Sequence, residues 1–416
     1  MSATTVLPPE PYDCFVLSGG GSKGAYGAGV GKAIQAYRMQ KGLTNPVCYI
    51  GASAGALNAY MLASYGADAL IALWLSITNK KILGVRSQDS RSQTLLRAAS
   101  SMFSRETPRS IYSNKALRSL VAKHAKLDAI HSPLIIAATD YTRGRLRAFY
   151  TSKIIDDFVD LDRKHMLRRQ RFNHLRPLRS DVDLVNALIA SASIPIFFPP
   201  VRLDVEGPDG PETGWFVDGG VGNNTPTREA AYFSRYLETT GRGSARVVYC
   251  VKQDKPRIVE DGPDPLKFAG ILKRTLDVYH YVHTDPIVSA WNRINREVAE
   301  QAQKVAELNK WLGTLGIPAD TLDDIRQRVA VEFRTSGGRL ARLDVPMLIV
   351  EPSAELGDTL EFDPARAKHE ISLGYADALK VLRNHVDPRA PELGTAIDEV
   401  EFNVLVNKPI FETTQR

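Results

Sequence analysis

Val47-Cys48-Tyr49-Ile50-Gly51-Ala52-Ser53-Ala54-Gly55-Ala56-Leu57 joins an apolar run, a glycine-framed serine and the start of a second apolar pattern. Val47–Ile50 has the length and composition of a buried strand, and Ala54 to about Tyr65 those of a helix. Gly51 to Gly55 is therefore a GxSxG set at a strand-to-helix turn. Such a turn needs glycine two residues either side of the serine, because a side chain there clashes, and it strains the serine backbone. The helix that follows aims its N-terminal N–H groups and positive dipole end at the same point. This placement reads Ser53 as a nucleophile. A Gly/Ser turn that merely packs tightly carries the same five letters.

Upstream, Cys14–Leu17 reads as a strand and Ala25–Met39 as a helix, joined by Ser18-Gly19-Gly20-Gly21-Ser22-Lys23-Gly24. The segment matches GxGxxG, but a dinucleotide site needs an acidic residue about twenty positions on. No Asp or Glu occurs between Asp13 and Asp68. The Gly-Lys-Ser/Thr ending of a P-loop is missing as well. Three consecutive glycines free backbone N–H groups to converge on one point, which suits an oxyanion hole.

Downstream, strands are expected at Pro133–Ala138, Leu146–Tyr150, Trp215–Val217, Val247–Lys252 and Pro346–Val350, and a last helix at His369–Leu382. Strand–helix alternation of this kind implies a largely parallel α/β sheet with helices on both faces. Thr78–Arg109 and Pro286–Leu315 look inserted. The second has apolar residues three and four apart from Ile287 to Leu308, one long amphipathic helix ended by Gly313.

Phe216-Val217-Asp218-Gly219-Gly220 puts an aspartate at the end of an apolar strand, where a carboxylate can reach the mouth of the sheet. Taken alone, an Asp-Gly turn is the simpler reading. None of the eight histidines sits at the end of a clear strand beside turn residues, and the elbow follows only two strands. A Ser–acid–His triad therefore has no support in the sequence.

These three motifs, in this order, resemble the patatin-like phospholipase family, with its GGGx[KR]G loop, GxSxG elbow and DG[GA] aspartate. Ala192-Ser193-Ile194-Pro195-Ile196-Phe197-Phe198-Pro199-Pro200 is similar to the family's ASxxxPxxFPP stretch, and Asn224-Thr225-Pro226 to its NxP. Thr139-Asp140 also fits, without an assignable role. Ser18 departs from the aspartate of many relatives, ahead of the oxyanion donors. The resemblance covers Tyr12 to Val251 and implies a patatin-like three-layer α/β/α fold with a mainly parallel central sheet. The expected organisation is a single domain over 1–416: a core at about 12–251, a helical insertion at about 286–335, and a closing strand and helix at about 345–385.

What the resemblance implies for the site is a Ser53–Asp218 dyad without histidine. Asp218 takes the serine proton, an acyl-enzyme forms, and water hydrolyses it. Backbone N–H groups of Gly19, Gly20, Gly21 and Ala54 are the expected oxyanion donors, with Lys23, Gly24, Gly51, Gly55, Gly219 and Gly220 supporting the motifs. Lys23 reads as steadying the loop. Phe197 and Phe198 are either core or the lining of an acyl-chain groove. The expected substrate is a phospholipid or lysophospholipid ester; an acyltransferase, a general esterase and a partner-gated effector are the alternatives. No cofactor and no metal are expected.

Composition agrees with an ordinary folded chain: 416 residues, 44% hydrophobic, 24% charged, net charge +6. Cys14, Cys48 and Cys250 lie in strand-like runs, which argues against a disulfide framework or a metal site. The first thirty residues do not read as a secretory signal, so none is expected, and Leu184–Val201, though uncharged, is broken by prolines. The expectation is a cytoplasmic chain with at most peripheral membrane contact. From Arg163 to Ser180 the chain holds seven basic residues and no acid, with Met166, Leu167, Phe172 and Leu175 interleaved. Arg168, Arg169 and Arg171 are candidates to dock on anionic membrane, against the plainer reading of a solvated face. Nucleic acid is not expected.

Overall fold

In the computed structural model, the described residues are 11–84, 110–165, 174–207, 210–253, 303–315, 317–326, 345–385 and 399–406, with a few single positions between 289 and 300 and at 397. The chain divides into two compact units, Met1–Thr284 with Leu348–Arg416, and Asp285–Met347.

The larger unit is built on a nine-stranded sheet. Its strands are β1 (Tyr12–Leu17), β2 (Val47–Ala52), β3 (Leu134–Asp140), β4 (Arg145–Thr151), β5 (Leu175–Pro177), β6 (Val201–Gly207), β7 (Gly210–Val217), β8 (Ala245–Val251) and β9 (Met347–Val350). The order β5-β4-β3-β2-β1-β8-β9 is parallel at the β3-β2-β1-β8 centre, with Cys14 beside Cys48 and Leu17 beside Gly51. β4 runs antiparallel to β3, and the β6–β7 hairpin joins β3 through Thr139 and Asp140. The fold is thus mixed α/β with a mainly parallel sheet, as expected. β5 and β6 lie outside the strands the sequence suggested.

The central strands are buried on both faces, which is why they read as continuous apolar runs. Phe15 and Leu17 face a large core shared with α1 (Gly24–Gln40), α2 (Ala54–Ser64) and α3 (Gly66–Ser76). On the other face, Tyr12 meets Phe233 of α9 (Thr227–Thr239) edge to face. The remaining helices are α4 (Asn79–Leu83), α5 (Lys115–His124), α6 (Lys153–His165), α7 (Asp181–Ser191), α8 (Gly219–Asn223), α10 (Pro364–His385) and α11 (Glu399–Val406). The closing helix α10 begins five residues before the expected His369, with Pro364 in its first turn, where a missing N–H costs nothing. It packs against α1, with Gly29 facing the Ile371 carbonyl and Gly374 the Tyr26 carbonyl. Cys14, Cys48 and Cys250 are free and buried.

In the smaller unit, residues 303–312 are helical, and the Gly313 N–H donates to the Asn309 carbonyl where that helix stops. The buried Trp291 indole donates to the Val345 carbonyl at 3.1 Å. Among the described residues no helix is long and apolar enough to cross a membrane.

Candidate active site

β2 ends at Ala52 and α2 begins at Ala54, so Ser53 alone makes the turn, at φ 55° and ψ −130°. A side chain other than glycine rarely holds that conformation, and it persists only where the surroundings impose it. Here they do. A Cβ on Gly51 would run into the Gly55 carbonyl, and one on Gly55 would lie 2.5 Å from the Ser18 carbonyl and closer to that of Leu17. The Ser53 N–H donates to Ser191 Oγ at 2.9 Å, and Ser191 Oγ donates to the Ala137 carbonyl at 2.6 Å. A buried hydroxyl on α7 thus ties the elbow to β3.

Asp218 caps α8 and is buried. Its N–H donates to the Ser193 carbonyl at 2.9 Å, and its carbonyl accepts from Thr139 Oγ1 at 2.9 Å. Oδ1 accepts the Gly220 N–H at 2.7 Å. Oδ2 is buried without a hydrogen bond of good geometry, and the Ser53 hydroxyl is near enough to favour its charged form. Burial dominates and pushes the carboxyl up to about 7, against the opposite pull of that hydroxyl and of Gly220. Ser53 and Asp218 come from the ends of different strands, far apart in sequence, and the fold brings them together.

The glycine loop lies against the elbow: a Cβ on Gly19 would sit 2.8 Å from Ser53 Cβ. The Gly19 N–H, expected as an oxyanion donor, is occupied by the Asn224 carbonyl at 3.1 Å and is removed from that set. Lys23 and Gly24 form the turn into α1, and Lys23 is buried, with its charge acting on Glu370. A segment ahead of α10 pins the loop from outside. Ser22 donates through its N–H to the Thr359 carbonyl at 2.8 Å, and through Oγ to that of Asp358 at 2.5 Å.

From Ser53 and Ala54 an apolar pocket opens between α2, α3, α5 and α7, enclosing about 860 Å³ of empty space, its open mouth included. Leu57 and Met61 line it one and two turns along α2, a run of roughly 12 Å from the serine at 1.5 Å per residue. Leu73, Val121 and Leu188 complete its walls. Phe198 is buried and lines the pocket, while Phe197 stacks on Tyr112. The preceding Ile196 has φ 74°, an outlier for a β-branched residue.

His124 also lines the pocket, and burial holds its pKa below the usual value. The groups that act on the Asp218 carboxyl are Ser53 and Gly220, with no histidine among them. Sequence reasoning missed the supporting roles of Ser191, Thr139 and the 358–362 segment. Ser191 adjoins the ASxxxP signal, and Thr139 belongs to the Thr-Asp signal that had no assignable role; the 358–362 segment has no signal of its own. Arg168, Arg169 and Arg171 lie outside the described residues. Of the same basic run, Arg176 is buried against Glu212 and Arg179 pairs with Asp156, so neither is a free surface charge.

A parallel-centred sheet with a strained serine at a strand-to-helix elbow places the chain among mixed α/β proteins. The patatin-like phospholipase pattern matches residues 15–231, more than half of the chain, and the chain belongs to that family of lipid acyl hydrolases. No curated protein matches it. Among solved structures, VipD from Legionella pneumophila is similar at 13% identity and a TM-score of 0.31, over 91% of this chain and 67% of that one.

Proposed function

We propose that the protein hydrolyses acyl esters of phospholipids or lysophospholipids, with Ser53 as nucleophile and Asp218 as its base. One observation carries the reading. A strained serine stands at the mouth of a long apolar pocket, beside a buried carboxylate whose pKa lies near neutrality.

A serine hydroxyl needs a positioned base, and an aspartate at its ordinary pKa of about 4 is a weak one. Raised to about 7, Asp218 matches the proton affinity that general-base catalysis near neutral pH favours. Oδ1 is held by Gly220, which leaves Oδ2 to take the Ser53 proton. The Ser53 oxygen then bonds to the ester carbonyl carbon, and the carbonyl electrons move to oxygen. Among the described residues the N–H groups of Gly20, Gly21 and Ala54 carry no other hydrogen bond and would receive that oxyanion. Collapse expels the alcohol with the proton from Asp218 and leaves the acyl group on Ser53. Water, deprotonated by Asp218, then releases the fatty acid. The acyl chain occupies the pocket along α2, where apolar walls favour it by about 0.8 kcal/mol per buried methylene.

Incubation of the purified protein with mixed phospholipids, followed by mass spectrometry, should give free fatty acid and a lysolipid or deacylated head group. The Ser53→Ala variant should give neither. Acyl groups moved to an added alcohol in place of water would make the protein a transferase. Product formation undiminished in Ser53→Ala would move the nucleophile elsewhere.

A further inference from the structure

The segment that pins the glycine loop also walls the acyl pocket. Residues 358–362 form a turn between β9 and α10, beyond the 15–231 stretch that the family pattern matches. Two of its backbone carbonyls face the loop. That of Thr359 accepts the Ser22 N–H at 2.8 Å, and that of Asp358 accepts Ser22 Oγ at 2.5 Å. Gly21 has φ 60°, and a Cβ on it would lie 2.1 Å from the Thr359 carbonyl oxygen. Glycine alone lets the segment come this close. Gly20 and Gly21, whose N–H groups are the proposed oxyanion donors, therefore run directly into a residue that this strap holds.

Two of its side chains reach the pocket. Leu360 and Phe362 line it together with Ser53 and Gly21. Phe362 stacks on Trp74 of α3, with ring centroids 6.5 Å apart and planes 12° from parallel. Trp74 leads back to the loop by a second route. A Cβ on Gly24 would lie 2.5 Å from its ring. Its Nε1 donates to Asn58 Oδ1 at 2.9 Å, and Asn58 Nδ2 donates to the Gly24 carbonyl at 2.8 Å.

The strap is tied to the body of the fold on either side. The Gly357 N–H donates to Glu370 Oε1 at 3.0 Å, and the Phe362 N–H to Asn79 Oδ1 at 2.8 Å. Between these ties, residues 358–361 are only partly buried. Segments outside helix and sheet, with partly buried side chains, belong to the less stable end of a structure, and added apolar contacts steady them.

We propose that an acyl chain long enough to lie against Leu360 and Phe362 steadies this strap, and that the strap, through Ser22, then holds Gly20 and Gly21 in place for the oxyanion. The inference rests on the Ser53 reaction and the acyl pocket above, and adds a specificity to them: chain length is read in kcat as well as in KM. Binding energy from the far part of a substrate then goes into orienting groups at the reacting carbon, and a truncated substrate loses turnover as well as affinity. Attack on the ester and hydrolysis of the acyl-enzyme both pass through an oxyanion with the chain still in the pocket, so both steps gain. Ser22 is a positioning residue, and Phe362 sets chain-length specificity.

The test is steady-state kinetics of the full chain on p-nitrophenyl butyrate and p-nitrophenyl octanoate, each below its solubility limit, with Ser53→Ala as control. In wild type, kcat for the octanoyl ester should exceed that for the butyryl ester about tenfold, the scale of one hydrogen bond gained in the transition state. Ser22→Ala loses the bond to the Asp358 carbonyl, and Phe362→Ala loses the stack on Trp74. In both, the ratio of the two kcat values should fall toward one. The double variant should lower it no further, because both substitutions cut the same link. Should Phe362→Ala fail to fold, Ser22→Ala decides alone through the same ratio. A Phe362→Ala variant that raises KM for the octanoyl ester at unchanged kcat would make Phe362 a wall and no more. A Ser22→Ala variant that slows both esters equally would make the loop independent of the chain. Either result overturns the proposal, as does a wild-type ratio near one. Turnover that persists in Ser53→Ala removes the nucleophile and the proposal with it, a failure that the control shows separately.

Discussion

Replacing Asp218 by asparagine should remove activity and make the fold less sensitive to pH between 5 and 7. In the folded protein the carboxyl titrates near 7 because it is buried, against 3.8 in the unfolded chain. Between those values the unfolded chain has lost the proton and the folded one keeps it. Folding then takes up a proton, and stability falls as pH rises until the folded pKa is passed. At about 1.36 kcal/mol per pH unit, the two units from pH 5 to about 7 amount to roughly 2.7 kcal/mol, with no further loss above. The asparagine variant carries no such slope.

The slope, rather than the absolute difference in stability, isolates the titration. The asparagine Nδ2 takes the place of an oxygen, and a buried amide left unpaired there costs about 1–3 kcal/mol at every pH. Urea unfolding of both proteins at pH 5, 6, 7 and 8 separates the two effects. The stability of Asp218→Asn relative to wild type should grow by about 2–3 kcal/mol from pH 5 to 7 and then level off. In parallel, wild-type kcat/KM on a soluble short-chain ester should be about a hundredfold lower at pH 5 than at its plateau, since the base must be ionised. A stability difference that stays flat, or a kinetic inflection near pH 4, would refute Asp218 as a buried base.

Ser191→Ala removes the acceptor for the Ser53 N–H. It should lower kcat with little change in KM and cost about 1–3 kcal/mol of stability, read by steady-state kinetics and urea melts. Leu57→Trp places an indole in the pocket one turn beyond Ser53. Hydrolysis of long-chain esters should fall at least tenfold while butyryl esters are still cleaved; equal loss on both would mean the acyl chain lies elsewhere. Replacing Arg168, Arg169 and Arg171 by glutamate should weaken binding to anionic vesicles by several kcal/mol at low salt, at roughly 1 kcal/mol per basic residue lost and a similar repulsion gained, and spare soluble esters. Unchanged vesicle binding would return this segment to a solvated face.

Much of the fold was legible because its central strands are buried on both faces and so stand out as apolar runs, Cys14–Leu17 and Val47–Ile50 among them. β5 was not legible: three residues, Leu175–Pro177, lie within a basic run too short for any period to show. β6 does alternate, with Val201, Leu203 and Val205 inward, but it directly follows a proline-rich turn. Ser53 and its glycines could be read because the turn's steric demands are local. Gly19 could not be excluded as a donor in the same way. Its N–H is taken by Asn224, distant in sequence, and only the folded chain brings them together.

Arg176 carries the same argument to its limit. In the sequence it is one of seven basic residues without an acid between them, and composition assigns such a run to solvent or to a membrane. Three residues of that run form β5, whose pairing with β4 turns Arg176 inward toward Arg147 and Glu212. The run is therefore two things at once. One arginine belongs to a buried charge cluster, whereas Arg179, three residues on, is exposed and paired with Asp156. Neutralising mutations across the whole run would mix these effects: loss at Arg176 would strip Glu212 of a partner and lower stability, whatever happens at a membrane. Substitution at Arg168, Arg169 and Arg171, with Arg176 kept, separates surface electrostatics from the fold.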